Sequence, residues 1–102
     1  MKTVSLSAKD LNLIRQILPG TYQAVLFGSR VDRTNSKFSD VDVCLKSGAA
    51  MVGYQLEEIR EAFDKSDLPY VVDIVNYSDL PSSFQKIVDE KGVLLQECVP
   101  EI

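Results

Sequence analysis

Apolar positions recur along the chain at two spacings, and the switches between them lay out the elements. Leu11, Ile14 and Leu18, with Leu13 and Ile17 beside them, form a stripe at helical spacing. Ser7 stands just ahead of that stripe and Asp10 follows three residues later, the arrangement of a capping box. Pro19-Gly20 is expected to end the helix. "YQAVLFG" reads as a short buried strand stopping at Gly28. Residues 29–38 carry no strong period and read as a helical turn followed by a loop. "DVDVCLK" is a second strand, with Asp40 and Asp42 on one face and Val41, Val43 and Leu45 on the other.

The small-residue run "SGAAMVG" is expected to be flexible. "YQLEEIREAFDKSD" then predicts a second amphipathic helix with Leu56, Ile59 and Phe63 inward, broken by Leu68-Pro69. "YVVDIVNY" is a strand apolar on both faces apart from Asp73. Ser78 or Asp79 is expected to cap a third helix, with Pro81 in its first turn, Phe84, Ile87 and Val88 inward, and Gly92 at its end. "VLLQECVPEI" reads as a short extended tail. The order α-β-(α)-β-α-β-α predicts an α/β (α+β) fold, a small three-stranded mixed sheet covered by helices, with residues 1–102 as a single domain.

Composition narrows the chemistry. The chain has 102 residues, two cysteines and no histidine. Without histidine there is no Ser-His or Cys-His nucleophile scheme, so any catalysis falls to carboxylates or a metal. The cysteines, Cys44 in an apolar run and Cys98 near the end, read as unpaired thiols. The net charge of −4 argues against direct nucleic-acid binding by the whole molecule, although Arg30, Arg33 and Lys37 cluster in one loop. No apolar run is long enough to span a bilayer, and "MKTVSLSAKD" lacks the apolar core of a signal peptide, so the expected location is the cytoplasm.

Three acidic positions carry the candidate chemistry. Strand residues i and i+2 lie roughly 6.6 Å apart on one face. Two carboxylates held there repel by about 2 kcal/mol at an effective dielectric of 20. Taken alone, Asp40 and Asp42 also fit a pair of solvated carboxylates at a loop edge. Asp73 shifts the balance, because an ionised carboxylate between β-branched aliphatics is costly unless it faces solvent, is paired, or binds a cation. If the three converge, their hard oxygens suit Mg2+, with two ions sharing bridging carboxylates. Gly28-Ser29 closes the preceding strand. Such a turn lets backbone N–H groups approach an anion, although "GS" alone is a weak signal that reads first as a plain β-turn. Arg30 reads either as a phosphate-neutralising cation or as a solvated side chain.

Together, "GSR", then "SDVDV" after a polar spacer, then an aspartate in a later apolar strand, resemble the DNA polymerase beta-type nucleotidyltransferase superfamily. The pattern is most similar to its smallest branch, the minimal nucleotidyltransferases (MNT). The resemblance implies a palm-like sheet and transfer of a nucleoside monophosphate, AMP in the expected case, from ATP or another NTP. It implies Gly28 and Ser29 as the phosphate-binding turn, with Arg30 beside them. It implies Asp40 and Asp42 as the metal-binding pair, and Asp73 as the third carboxylate that shares a metal and helps deprotonate the acceptor hydroxyl. Small members are commonly paired with a helical HEPN-domain toxin, act as its antitoxin, and in some cases adenylylate a tyrosine on it. A HEPN-type partner is therefore expected, docked on the exposed faces of the helices at 54–66 and 81–91 or on the tail. Neutralisation by stoichiometric contact with little catalysis is the alternative. An RNA end or a small antibiotic as acceptor is a third reading, disfavoured by the short acidic chain. One departure stands out: many minimal members carry a second glycine where this chain has Arg33, which is expected to need ordinary backbone angles. Val43 in place of leucine is a mild change.

Overall fold

The computed structural model describes residues 1–18, 20, 22–46 and 53–101. Pro19 and most of the small-residue run, 47–52, lie outside the described residues. In chain order the elements are β1 (Lys2–Thr3), α1 (Ala8–Ile17), β2 (Gln23–Phe27), α2 (Ser29–Asp32), β3 (Val41–Lys46), α3 (Gly53–Asp64), β4 (Val72–Asn76), α4 (Ser82–Lys91), β5 (Val93–Leu94) and β6 (Cys98–Val99). Ser7 caps α1 as its position predicts, accepting a hydrogen bond from the Asp10 backbone N–H.

The main sheet has four strands, in the order β4-β3-β2-β5, rather than three. It is mixed: β3 runs parallel to β4, and β2 runs antiparallel to both β3 and β5. The extra strand comes from the segment read as a tail. Two residues are too few to show a period, and β5 approaches β2 only because Gly92 precedes it. A side chain at Gly92 would collide with Val25 and with the Val88 carbonyl. Farther along that segment, after a 3-10 turn at Leu95–Glu97, β6 pairs with β1 in a second, two-stranded parallel sheet. Arg15 of α1 holds this end in place by donating to the carbonyls of Leu95 and Cys98.

Alternation along the strands sorts side chains onto two layers. Ala24, Leu26, Val41, Val43, Leu45, Val72 and Ile74 face one side, packed with Leu11, Ile14, Ile59 and Phe63 from α1 and α3. Full burial of side chains such as Leu11 and Ile14 contributes about 1.5–3 kcal/mol each. On the other side Val25, Phe27 and Cys44 pack with Val88 of α4. Lys46 ties α4 to the sheet through Asp89, whose carboxylate also accepts from the Tyr77 hydroxyl. These two donors, lysine first, hold the Asp89 carboxyl below its usual range.

The start of α4 differs from the expectation. A single 3-10 turn, Tyr77–Asp79, intervenes, and Pro81 rather than Ser78 or Asp79 occupies the N-cap. Phe84 and Ile87 are 39% and 44% exposed, not inward, because they overhang a cleft instead of the sheet. No helix among the described residues is long and apolar enough to cross a membrane.

Candidate active site

The face under α4 is only partly covered. Val88 seals Val25 and Cys44, but the ends of three strands beyond them remain open. There Phe27 pairs with Asp42 across β2 and β3, and Asp42 pairs with Asp73 across β3 and β4. Paired residues of adjacent strands point to the same face. The strip Phe27, Asp42, Asp73 therefore forms the floor of a cleft of about 390 Å³. Phe84, Ile87 and Lys91 of α4 form one wall, and Gly28 and Asp32 close the end. Phe84 meets Phe27 edge-on, with ring centroids 5.7 Å apart.

Asp42 is half-buried. Burial, then the neighbouring charge of Asp73, then that of Asp40, push its carboxyl above the usual aspartate range. Asp40 stands one residue before β3, exposed and outside the cleft lining. Among the described residues no hydrogen bond or ion pair satisfies Asp40, Asp42 or Asp73. Nor are three acidic, histidine or cysteine side chains already gathered into a closed ligand cage among the described residues. The donor set still fits a hard divalent cation. It consists of carboxylate oxygens that repel one another, none of them in an ion pair with a lysine or arginine among the described residues.

Gly28 is built for close approach. It has φ of +83°, and any side chain there would strike the Asp42 carboxylate. Its carbonyl accepts from the backbone N–H groups of Val31 and Asp32, opening the single turn of α2 at Ser29. That turn is the one expected for residues 29–38. Arg33 ends it in the left-handed region, at φ 61° and ψ 35°. The expectation of ordinary backbone angles is thus corrected: the backbone keeps a glycine-type bend although the side chain is arginine. The Arg33 guanidinium lies outward, 2.9 Å from Glu101.

Arg30 also departs from the expectation. It is only 6% exposed and faces away from the cleft. Its guanidinium donates to the carbonyls of Ser39, Ser5 and Lys37, and stacks 4.1 Å from the Tyr70 ring centroid. Those bonds engage four of its five N–H donors on the side away from the cleft. The tyrosine hydroxyl in turn donates to Asp10, and burial followed by that carboxylate pushes its pKa up. Sequence reasoning missed Asp32 and Lys91, and it assigned Phe84 and Ile87 to the core. The 84, 87, 91 spacing marks one helix face, but periodicity alone does not say whether that face meets a sheet or a cleft.

The chain matches the family model described as Polymerase beta, Nucleotidyltransferase over residues 6–98. It is 32% identical over 85 residues to a Haemophilus influenzae protein named probable protein adenylyltransferase MntA, a match spanning 83% of this chain and 74% of that one. Its fold is similar to a chain in the crystal structure of a toxin-antitoxin with AMP-PNP, with a TM-score of 0.66 and 24% identity over 85% of this chain and 69% of the other. It is also similar to a chain in the structure of tri-AMPylated Shewanella oneidensis HEPN toxin in complex with MNT antitoxin. There the TM-score is 0.57 and the identity 20%, over 85% of this chain and 66% of the other.

Proposed function

The chain belongs to the polymerase beta nucleotidyltransferase family, and on that premise we propose that it is a cytoplasmic protein adenylyltransferase, moving AMP from ATP to a hydroxyl of a helical HEPN-type toxin and so acting as its antitoxin. One observation carries the reading: Asp42 and Asp73 lie in register on adjacent strands, with the bare backbone of Gly28 pressed against the Asp42 carboxylate. A backbone able to receive an anion and carboxylates able to receive a cation, lining one cleft, support this reading. The relative named as a protein adenylyltransferase and the toxin-antitoxin folds support the choice of acceptor. So do two exposed apolar residues, Phe38 at 68% two residues before Asp40 and Val71 at 60% two residues before Asp73, which suit a protein surface.

In this mechanism the acceptor oxygen attacks the α-phosphorus, the bond to the bridging oxygen of the β-phosphate breaks, and pyrophosphate leaves. Gly28 and Ser29 receive the phosphates through backbone N–H groups and the serine hydroxyl. Asp73 takes the proton from the attacking hydroxyl. Asp40, Asp42 and Asp73 would hold Mg2+, which when bound offsets the charge that develops on the phosphate oxygens. The rest of the chain's contribution is positioning, since α4 and the strand ends fix where the nucleotide can lie.

The test is mass spectrometry of the partner after incubation with MgATP. Asp42→Asn is expected to lower AMP transfer by about 100-fold or more while raising the thermal midpoint of the unliganded protein, because a repelling, half-buried charge is removed. A variant that still labels the partner at the wild-type rate overturns the proposal. A variant that fails to label it yet neutralises the toxin normally shows that binding alone suffices.

A further inference from the structure

The cleft poses a charge problem. A triphosphate is a polyanion, and the described lining already carries Asp32, Asp42 and Asp73. Arg30, the expected counter-charge, is spent on loop carbonyls on the far side. Among the described residues that line the cleft, Lys91 is the one cation. It takes part in no ion pair among the described residues, whereas Lys46, Lys65 and Lys86 each have an acidic partner.

Its position follows from the strand register. Val93 pairs with Leu26, and Leu94 with Val25, in an antiparallel ladder. Lys91 ends α4 two residues before that pairing begins, and it lines the same cleft as Gly28. Gly92 sets the approach, because its missing side chain lets the end of α4 close onto Val25 and the Leu26 backbone. Lys91 thereby lines the cleft together with Gly28, and Phe84 and Ile87 continue the same helix face.

Resting on the nucleotidyl-transfer reading, we infer that Lys91 binds the β- and γ-phosphates of the nucleotide and steadies the pyrophosphate as it leaves. The competing role for a lysine in the last turn is purely structural, as a favourable charge at the negative end of the helix. The two roles separate by which ligand feels the loss. The experiment is calorimetric titration of the full chain with ATP and, separately, AMP in the presence of Mg2+, for wild type, Lys91→Gln and Lys91→Arg. Loss of a charge-assisted contact is expected to weaken ATP by roughly tenfold while AMP affinity stays within about twofold, and Lys91→Arg is expected to restore most of the ATP affinity. Equal weakening of both ligands, or of neither, overturns the assignment. So does a Gln variant whose only change is a lower unfolding midpoint without ligand. Failure of the wild type to bind ATP at all would instead sink the nucleotidyl-transfer reading, and this assignment with it.

Discussion

Two residues of positive φ bracket the single turn of α2, and they carry opposite predictions. At Gly28 the conformation and the space both exclude a side chain, since a methyl group would strike the Asp42 carboxylate. Gly28→Ala is expected to cost about 2 kcal/mol or more in urea unfolding. Arg33 shares the positive φ but sits in the αL region, at φ 61° and ψ 35°, at a strain of roughly 1–2 kcal/mol. Arg33→Gly releases the strain, gives up an exposed pair with Glu101, and adds freedom to the unfolded chain. The net is expected to lie between zero and a gain of about 1 kcal/mol. A loss as large as that at Gly28 would mean that the Arg33 side chain holds the turn in place.

At the scale of elements, the loop between α2 and β3 is organised from beneath by Arg30. One guanidinium gathers the carbonyls of Ser5, Lys37 and Ser39 and rests on Tyr70, so it ties the start of the chain to the segment that delivers Asp40. Arg30→Met keeps much of the volume and removes every donor. It is expected to destabilise the protein by about 2–4 kcal/mol and to speed amide exchange across 36–41 before the sheet core opens. Arg30→Lys is expected to rescue little, because a point charge cannot span three carbonyls or stack flat on a ring. Unchanged exchange in that segment would show that the loop is held by something else.

Across the whole molecule, the two faces of the main sheet are used differently. One is sealed by α1 and α3, and the other is sealed only as far as α4 reaches. Cys44 lies under α4 and Cys98 in the second sheet, both fully or nearly fully buried. Burial pushes each thiol up to about 11. At pH 8 both are therefore neutral and shielded, and alkylation in the native state is expected to be on the order of 100-fold slower than in urea. Rapid native labelling of Cys44 would mean that α4 lifts from the sheet, and the cleft would then lack a fixed wall.

The amino-acid pattern by itself determined the local events. Ser7 caps a helix because its hydroxyl serves a free N–H, Gly28 stops a strand, and period-two alternation puts Asp42 opposite the apolar face. Such features depend on neighbours a few residues away. Tertiary structure decided what depends on partners distant in sequence. It brought residue 73 alongside residue 42 through a parallel pairing that alternation cannot specify, and it recruited Val93–Leu94 as a fourth strand. It turned Arg30 inward, and it set Phe84, Ile87 and Lys91 over an opening rather than a core. The physical reason is the same in each case: a side chain's spacing fixes the direction in which it points, whereas what it meets depends on which surface the rest of the chain folds against it.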